Sequence, residues 1–433
     1  MPPRPRRRPL LGLLLGAALL LLAEGATRLL AGPPTVPVVV RMPDGSEGLW
    51  QEVDGALRPK LREHQEWWPE GDKQPGRLRL VVLGGSSVAG PPADHRLAAN
   101  LLASGLSAEV VNLAVSGMDS GHLLATAPGV IALRPDAVII YSGHNDLGNA
   151  VFERRYSDPR EVAVARTRAV LGKSRLYSLL ETALRGPEER AVIQHFKVKE
   201  VALSPAQKDA GLDDFARRTR ALVTTLRAAG LPVVVSTVVS NPAWSSVAFT
   251  CPEALRALSV EPSRTAVMPV AQVDPAALAA ARAASPCVDL DLVAARLQWE
   301  AGDRAAAAAE LERLRDQDPI PLRAPLRVNE ELRALAHDTG AVLVDTAAAF
   351  KERGGGVEPP TWFIDMVHLS GAGNQALAAS LAEGVAAATG TPPVALPWPP
   401  IPDLPMTACL TGRCGKGAGR PAGRPAGAPR AGP

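Results

Sequence analysis

The sequence predicts a three-layer α/β/α domain on a parallel five-stranded sheet, with helical insertions. Two observations predict it. Five short runs are apolar on consecutive rather than alternate positions, the pattern of strands buried on both faces. They are LRLVVL (78–83), AEVVNLA (108–114), PDAVIIYS (135–142), LPVVVSTVVS (231–240) and GAVLVDT (340–346). Between them lie stretches of helical period, such as HRLAANLLAS from His95 and DDFARRTRALVTTLRAAG from Asp213. Strand and helix alternating at this spacing build β-α-β units.

In chain order, the N-terminus comes first. The basic RPRRR (Arg4–Arg8) precedes an apolar run, LLGLLLGAALLLLA, from Leu10 to Ala23. Basic then apolar is the order of an export signal or a signal anchor. The run is short for a spanning helix and Glu24 ends it. No A-x-A cleavage site follows, which favours an uncleaved anchor over a cleaved signal peptide. Segment 1–30 is read as that signal or anchor, with the chain beyond about residue 35 exported. Residues 31–76, rich in Pro, Gly and charge, read as a linker or cap.

The α/β pattern runs from 77 to 389 and is interrupted twice, at about 151–205 and 245–325, by charged stretches of helical period. Within the second, LQWEAGDRAAAAAELERLRDQDP (297–319) resembles the end of one tetratricopeptide repeat. A single repeat cannot bury a solenoid core alone. The segment is therefore read as a helical hairpin packed on the main domain, with a protein-partner site as the other reading. From 390 to 433 the chain is Pro, Gly, Ala and Arg, and reads as a disordered basic tail.

Composition narrows the function. The 433 residues carry 47 basic and 44 acidic side chains, a net charge of +3, and only 4% aromatics. That balance gives no electrostatic footprint for nucleic acid and few stacking platforms. The four cysteines, Cys251, Cys287, Cys409 and Cys414, fit two readings: a disulfide within each sequence-adjacent pair, or four free thiols. Neither C-x-x-C spacing nor a His/Cys cluster is present, so no metal site is expected.

Ligands of open parallel sheets bind at the carboxyl ends of the strands. The first such end carries Gly84, Gly85, Ser86 and Ser87; the second, Gly117; the third, Gly143, His144, Asn145 and Asp146; the fourth, Asn241. Beyond the fifth lie Asp365 and His368. A serine, an imidazole to take its proton, a carboxylate to orient that imidazole and N–H donors for an oxyanion are the parts needed for acyl transfer. The remaining histidines, His64, His95, His122, His195 and His337, are read as lacking a carboxylate partner at motif spacing.

GGSS (84–87), Gly117 in NLAVSGMDS, GHND (143–146) and DMVH (365–368) resemble, in order, the four blocks of the SGNH (GDSL-type) serine hydrolases. The resemblance covers roughly 78–150, 210–245 and 330–385. It implies a flavodoxin-like fold and makes Ser86 the nucleophile, His368 the general base and Asp365 its orienting carboxylate. It also implies an oxyanion hole from the backbone N–H groups of Ser86 and Gly117 with the Asn145 side chain. His144, Asp146 and Asn241 are possible substrate contacts. The chain departs from the family at Gly85, where the family motif has aspartate.

The expected activity is hydrolysis of a small-acyl ester, such as an acetyl group on an envelope carbohydrate, through an acyl-enzyme and without a cofactor. The combination of motifs and tetratricopeptide-like helices resembles an exported bacterial subgroup, placed at the inner membrane with a periplasmic catalytic domain. The expected partners are an ester-bearing small molecule or glycan and the membrane, with no nucleic acid. Two other readings stand: O-acyltransfer to a glycan, and a catalytically silent scaffold.

Overall fold

The computed structural model describes residues 8–31, 49–53, 55–69, 71–90, 94–95, 97–152, 171, 174–177, 179–180, 203–242, 251–260, 270, 272–318, 321 and 323–401. Most of the first expected insertion, the tail beyond 401, Cys409, Cys414, His195 and most of RPRRR lie outside them. The chain divides into two units, residues 1–41 with 150–201, and 42–149 with 202–433.

The described part of the first unit is dominated by helix α1 (Arg8–Ala31). Its Glu24 carboxylate accepts hydrogen bonds from Ser174 Oγ at 2.6 Å, Arg175 N at 2.8 Å and Leu176 N at 2.9 Å. Among the described residues no helix is long and apolar enough to cross a membrane. The expected spanning anchor therefore finds no support. Fourteen apolar residues at 1.5 Å each cover about 21 Å, short of the roughly 30 Å hydrocarbon core.

The second unit opens with a hairpin, β1 (Trp50–Val53) paired antiparallel with β2 (Ala56–Pro59), followed by the short helix α2 (Arg62–Trp67). Its β-sheet then follows the expected runs: β3 (Arg79–Gly84), β4 (Glu109–Asn112), β5 (Ala137–Tyr141), β6 (Val233–Ser236) and β7 (Val342–Val344). All neighbours are parallel, in the order β4-β3-β5-β6-β7. In the register of the central pair, Val81 faces Val138 and Val82 faces Ile139. Every residue of β3 and β5 is buried, which is why these strands read as unbroken apolar runs.

Helices cover the sheet in two groups. α4 (Ser120–Leu133), α6 (Pro205–Ala228) and α11 (Leu326–Thr339) pack side by side. α3 (Ala98–Gly105), α12 (Thr346–Arg353) and α13 (Gly371–Thr389) form the second group, through α13. Their starts are capped as side-chain chemistry dictates. Ser204 and Gln207 form a capping box ahead of Pro205, and Ser370 accepts from Gly373 N.

Between β6 and α11 stand the inserted helices α7 (Pro252–Ala257), α8 (Pro275–Ala284), α9 (Val288–Glu300) and α10 (Arg304–Gln317). α9 and α10 form the expected hairpin, turning at Gly302 with φ of +96°. Leu278, Leu290, Val293, Leu311 and Leu314 make a core here that also takes in Val357 and Met366 of the α/β domain. A disulfide joins Cys251 to Cys287, which settles that pair as bonded.

Both flanks of the α/β domain make packed contacts with it. In residues 49–53 and 55–68, expected as a linker or cap, Trp50 Nε1 donates to Ala125 O at 3.1 Å, and buried His64 Nε2 lies 2.9 Å from Leu113 O. After α13, Trp398 packs on Trp362 and Phe350, with the Arg353 guanidinium 4.0 Å above its ring. Packed contacts are therefore made at Trp398, past the expected start of the tail at 390. In both stretches a few tryptophans supply the burial that the average composition conceals.

Candidate active site

The carboxyl end of β3 delivers Ser86. β3 ends at Gly84, and Gly85 O closes a turn by accepting from Val88 N at 3.2 Å and Ala89 N at 3.1 Å. Ser86 is half-buried on that turn, while Ser87 beside it is buried. Asp365 and His368 sit on a loop closed by an antiparallel bridge between Phe363 and Leu369, with Ile364 N donating to His368 O at 2.9 Å.

Although 282 residues separate them in sequence, His368 Nε2 lies 2.7 Å from Ser86 Oγ. On the other side of the ring, His368 Nδ1 lies 2.5 Å from Asp365 Oδ2. Asp365 Oδ1 accepts from Val367 N at 2.9 Å and His368 N at 2.8 Å. Burial pushes the Asp365 carboxyl up, but the His368 ring and these two N–H donors outweigh it and leave it below its ordinary value. The carboxylate thus stays ionised and holds the proton on Nδ1, so that Nε2 can accept from the serine.

Gly117 and Asn145 stand on the loops beside Ser86. Gly117 has φ of +85°, a conformation that favours glycine, and a Cβ there would meet nothing within 4 Å. Asn145 opens α5 (Asn145–Phe152), and its Nδ2 donates to Met118 O at 2.8 Å. A Cβ on Gly85 would collide with that same Nδ2 and come within 3.3 Å of Met118 O. The absence of a side chain at 85 is therefore what leaves room for the Asn145 amide. With an ester carbonyl over Ser86, this set can transfer a proton from hydroxyl to imidazole and present N–H donors to the developing oxyanion.

His144, Asp146 and Asn241, the possible substrate contacts, are buried. His144 Nδ1 accepts from Ala324 N at 3.1 Å, which leaves the ring proton on Nε2. Burial first, then the charges of Arg315 and His368, pushes this imidazole down to about 3. Asp146 accepts from Ser120 N at 3.1 Å and Ser120 Oγ at 2.5 Å. Asn241 N donates to Met366 O at 2.9 Å. These contacts tie His144 to Ala324, Asp146 to Ser120 and the Asn241 backbone to Met366.

One expectation about the histidines is corrected. His122 does have a carboxylate partner: its Nδ1 is 2.6 Å from Asp119 Oδ1, in a capping box at the start of α4. The Asp-x-x-His spacing is the same as at 365–368 and was the signal to find it. Asn149 Nδ2 ties this pair to the Gly117 loop, donating to Gly117 O at 2.9 Å and Asp119 Oδ2 at 3.1 Å. Among the described residues one cluster has donors spaced for a metal, Cys251, Cys287 and Asp289, but there the two sulfurs are bonded to each other.

Among solved structures, an acetylxylan esterase from Geobacillus stearothermophilus is similar at 16% identity and a TM-score of 0.34, over 71% of this chain and 94% of that one. A GDSL-like lipase from Bacteroides thetaiotaomicron is similar at 12% identity and a TM-score of 0.35, over 72% and 88%. A comparison with curated proteins finds no match. The sequence pattern of the GDSL-like lipase/acylhydrolase family matches residues 82–311, more than half of the 433. That stretch carries Ser86, Gly117 and Asn145, and the fold brings Asp365 and His368 to it from beyond its end. The chain belongs to the GDSL-like lipase/acylhydrolase family and is a carboxylic ester hydrolase.

Proposed function

We propose that the protein is a serine esterase that removes a small acyl group, such as acetyl, from a carbohydrate through an acyl-enzyme on Ser86. The observation that carries this reading is the Ser86–His368–Asp365 line, with heavy-atom separations of 2.7 Å and 2.5 Å. Ser86 Oγ attacks the ester carbonyl carbon as His368 Nε2 takes its proton. The tetrahedral oxyanion is held by the N–H groups of Ser86 and Gly117 and the Asn145 amide. Collapse expels the alcohol, which receives the proton from His368. Water then attacks the acyl-serine, gives a proton to His368, and the departing serine recovers it. The acyl class rests on the family likeness, in which small-acyl esters are common substrates.

The test is fluorophosphonate labelling with mass mapping of the adduct, followed by hydrolysis of 4-nitrophenyl esters of increasing acyl length and acetate release from acetylated glycans. An adduct on Ser86 that is lost in His368→Ala, with kcat/KM greatest for acetate, is the expected result. No adduct on the folded protein would overturn the hydrolase mechanism. A preference for long chains would overturn only the acyl class.

Export is part of the proposal. The basic segment ahead of the apolar run and the Cys251–Cys287 disulfide both suit an oxidising compartment. N-terminal sequencing of protein from the membrane and soluble fractions checks both export and cleavage.

A further inference from the structure

The inserted helices end in a run of contacts that converge on the back of the Asp365–His368 loop. Arg315, on α10, donates from Nη1 to Ser240 Oγ at 2.7 Å and forms an ion pair with Glu358 at 3.5 Å. Arg323, just beyond α10, donates from Nη1 to Asn241 O at 3.0 Å. The next residue, Ala324, donates its N–H to His144. Asn241 N in turn donates to Met366 O at 2.9 Å, and the Met366 side chain packs against the core of the inserted helices. Arg315, Arg323, Ser240, Asn241 and Glu358 are all at most 5% exposed.

Burial works against the Arg323 charge, and the Asp318 carboxylate works to retain it. A guanidinium at such a place has to be justified by the donors it supplies, because its desolvation is costly. Here one donor fixes the carbonyl of Asn241, and the N–H of the same residue fixes the carbonyl of Met366, which follows Asp365.

We propose that Arg323, backed by Arg315, is a positioning residue for the catalytic base, so that the helical insertion is a working part of the active site. The chain of contacts runs Arg323 to Asn241 to Met366, one peptide from Asp365 and two residues from His368. This inference rests on the assignment of His368 as the base. Loosening the loop weakens the Asp365–His368 hydrogen bond, which withdraws support from the imidazolium that forms as the serine proton is taken.

The test uses the full chain and 4-nitrophenyl acetate as probe, comparing Arg323→Gln, Arg323→Lys and wild type. For Arg323→Gln, kcat falls roughly tenfold to a hundredfold with KM within about threefold, the rate of fluorophosphonate labelling at Ser86 falls in parallel, and the acid limb of kcat moves to lower pH. Arg323→Lys, which keeps a donor, recovers part of each. A wild-type acid limb and wild-type kcat in Arg323→Gln, with wild type itself active and labelled, overturn the proposal and leave the base assignment standing. An active His368→Ala overturns the base assignment first. If Arg323→Gln does not fold, Arg323→Lys carries the comparison: a wild-type limb and kcat there overturn the proposal, while a fall in kcat with a shifted limb supports it.

Discussion

The Asn145 amide occupies the space that a side chain on Gly85 would need. Where the family motif has aspartate, this chain packs the Asn145 amide and Met118 around a glycine. Gly85→Asp and Gly85→Ala should therefore both displace Asn145, lowering kcat by about tenfold to a thousandfold with little change in stability. Steady-state kinetics beside a thermal melt checks this. A Gly85→Asp variant as active as wild type would show that Asn145 has other room.

Asp365 stays ionised below the usual carboxylate range, because the His368 ring and two backbone N–H groups outweigh its burial. Its stabilising effect is present above its unfolded pKa and is lost as pH falls through the lower folded value. Asp365 therefore remains ionised at mildly acid pH. Asp365→Asn keeps the shape but permits the wrong tautomer, and kcat should fall by about 10² to 10⁴. A pH–rate profile of the two proteins measures it.

His144 is buried as the neutral ring, with its pKa pushed down to about 3. In the unfolded chain the same group takes a proton near 6.5. Between those values the unfolded state holds the extra proton, so this group's contribution is full above about pH 6.5 and shrinks as pH falls toward 3. His144→Gln, whose amide oxygen can still accept from Ala324 N, removes that dependence. Melting temperature plotted from pH 7 to 4 should fall more gently for the variant, and parallel curves would refute the assignment.

The Cys251–Cys287 disulfide closes a span of 36 residues around α7 and α8. Chain entropy gives such a closure about 2–4 kcal/mol. The double variant Cys251→Ala, Cys287→Ala should melt earlier by several degrees, and reductant should lower the melting point of wild type but not of the variant. Calorimetry with and without reductant distinguishes them.

Ser86, Asp365 and His368 were legible because their chemistry sits in compact motifs, and the five strands because double-sided burial leaves unbroken apolar runs. Arg315 and Arg323 were not, since a lone arginine reads as solvated surface and only packing shows it buried. His122 was passed over although Asp119 stands three residues before it. Trp50 and Trp398 were hidden in stretches whose average composition suggests no fold. His144 and Asn241 lie beyond the expected strand ends, and the contacts made there with Ala324, Arg323 and Met366 come from residues distant in sequence.

Ser86 follows a central strand of the sheet, whereas His368 belongs to a loop whose Met366 packs against the core of the inserted helices. The two ends of the proposed proton transfer thus rest on different packing, the sheet for one and the inserted helices for the other. Opening of the helical part alone would separate them while the sheet stays intact. Heating would then switch the enzyme off reversibly at a temperature below the loss of its strand signal, and cooling would restore it without refolding the chain.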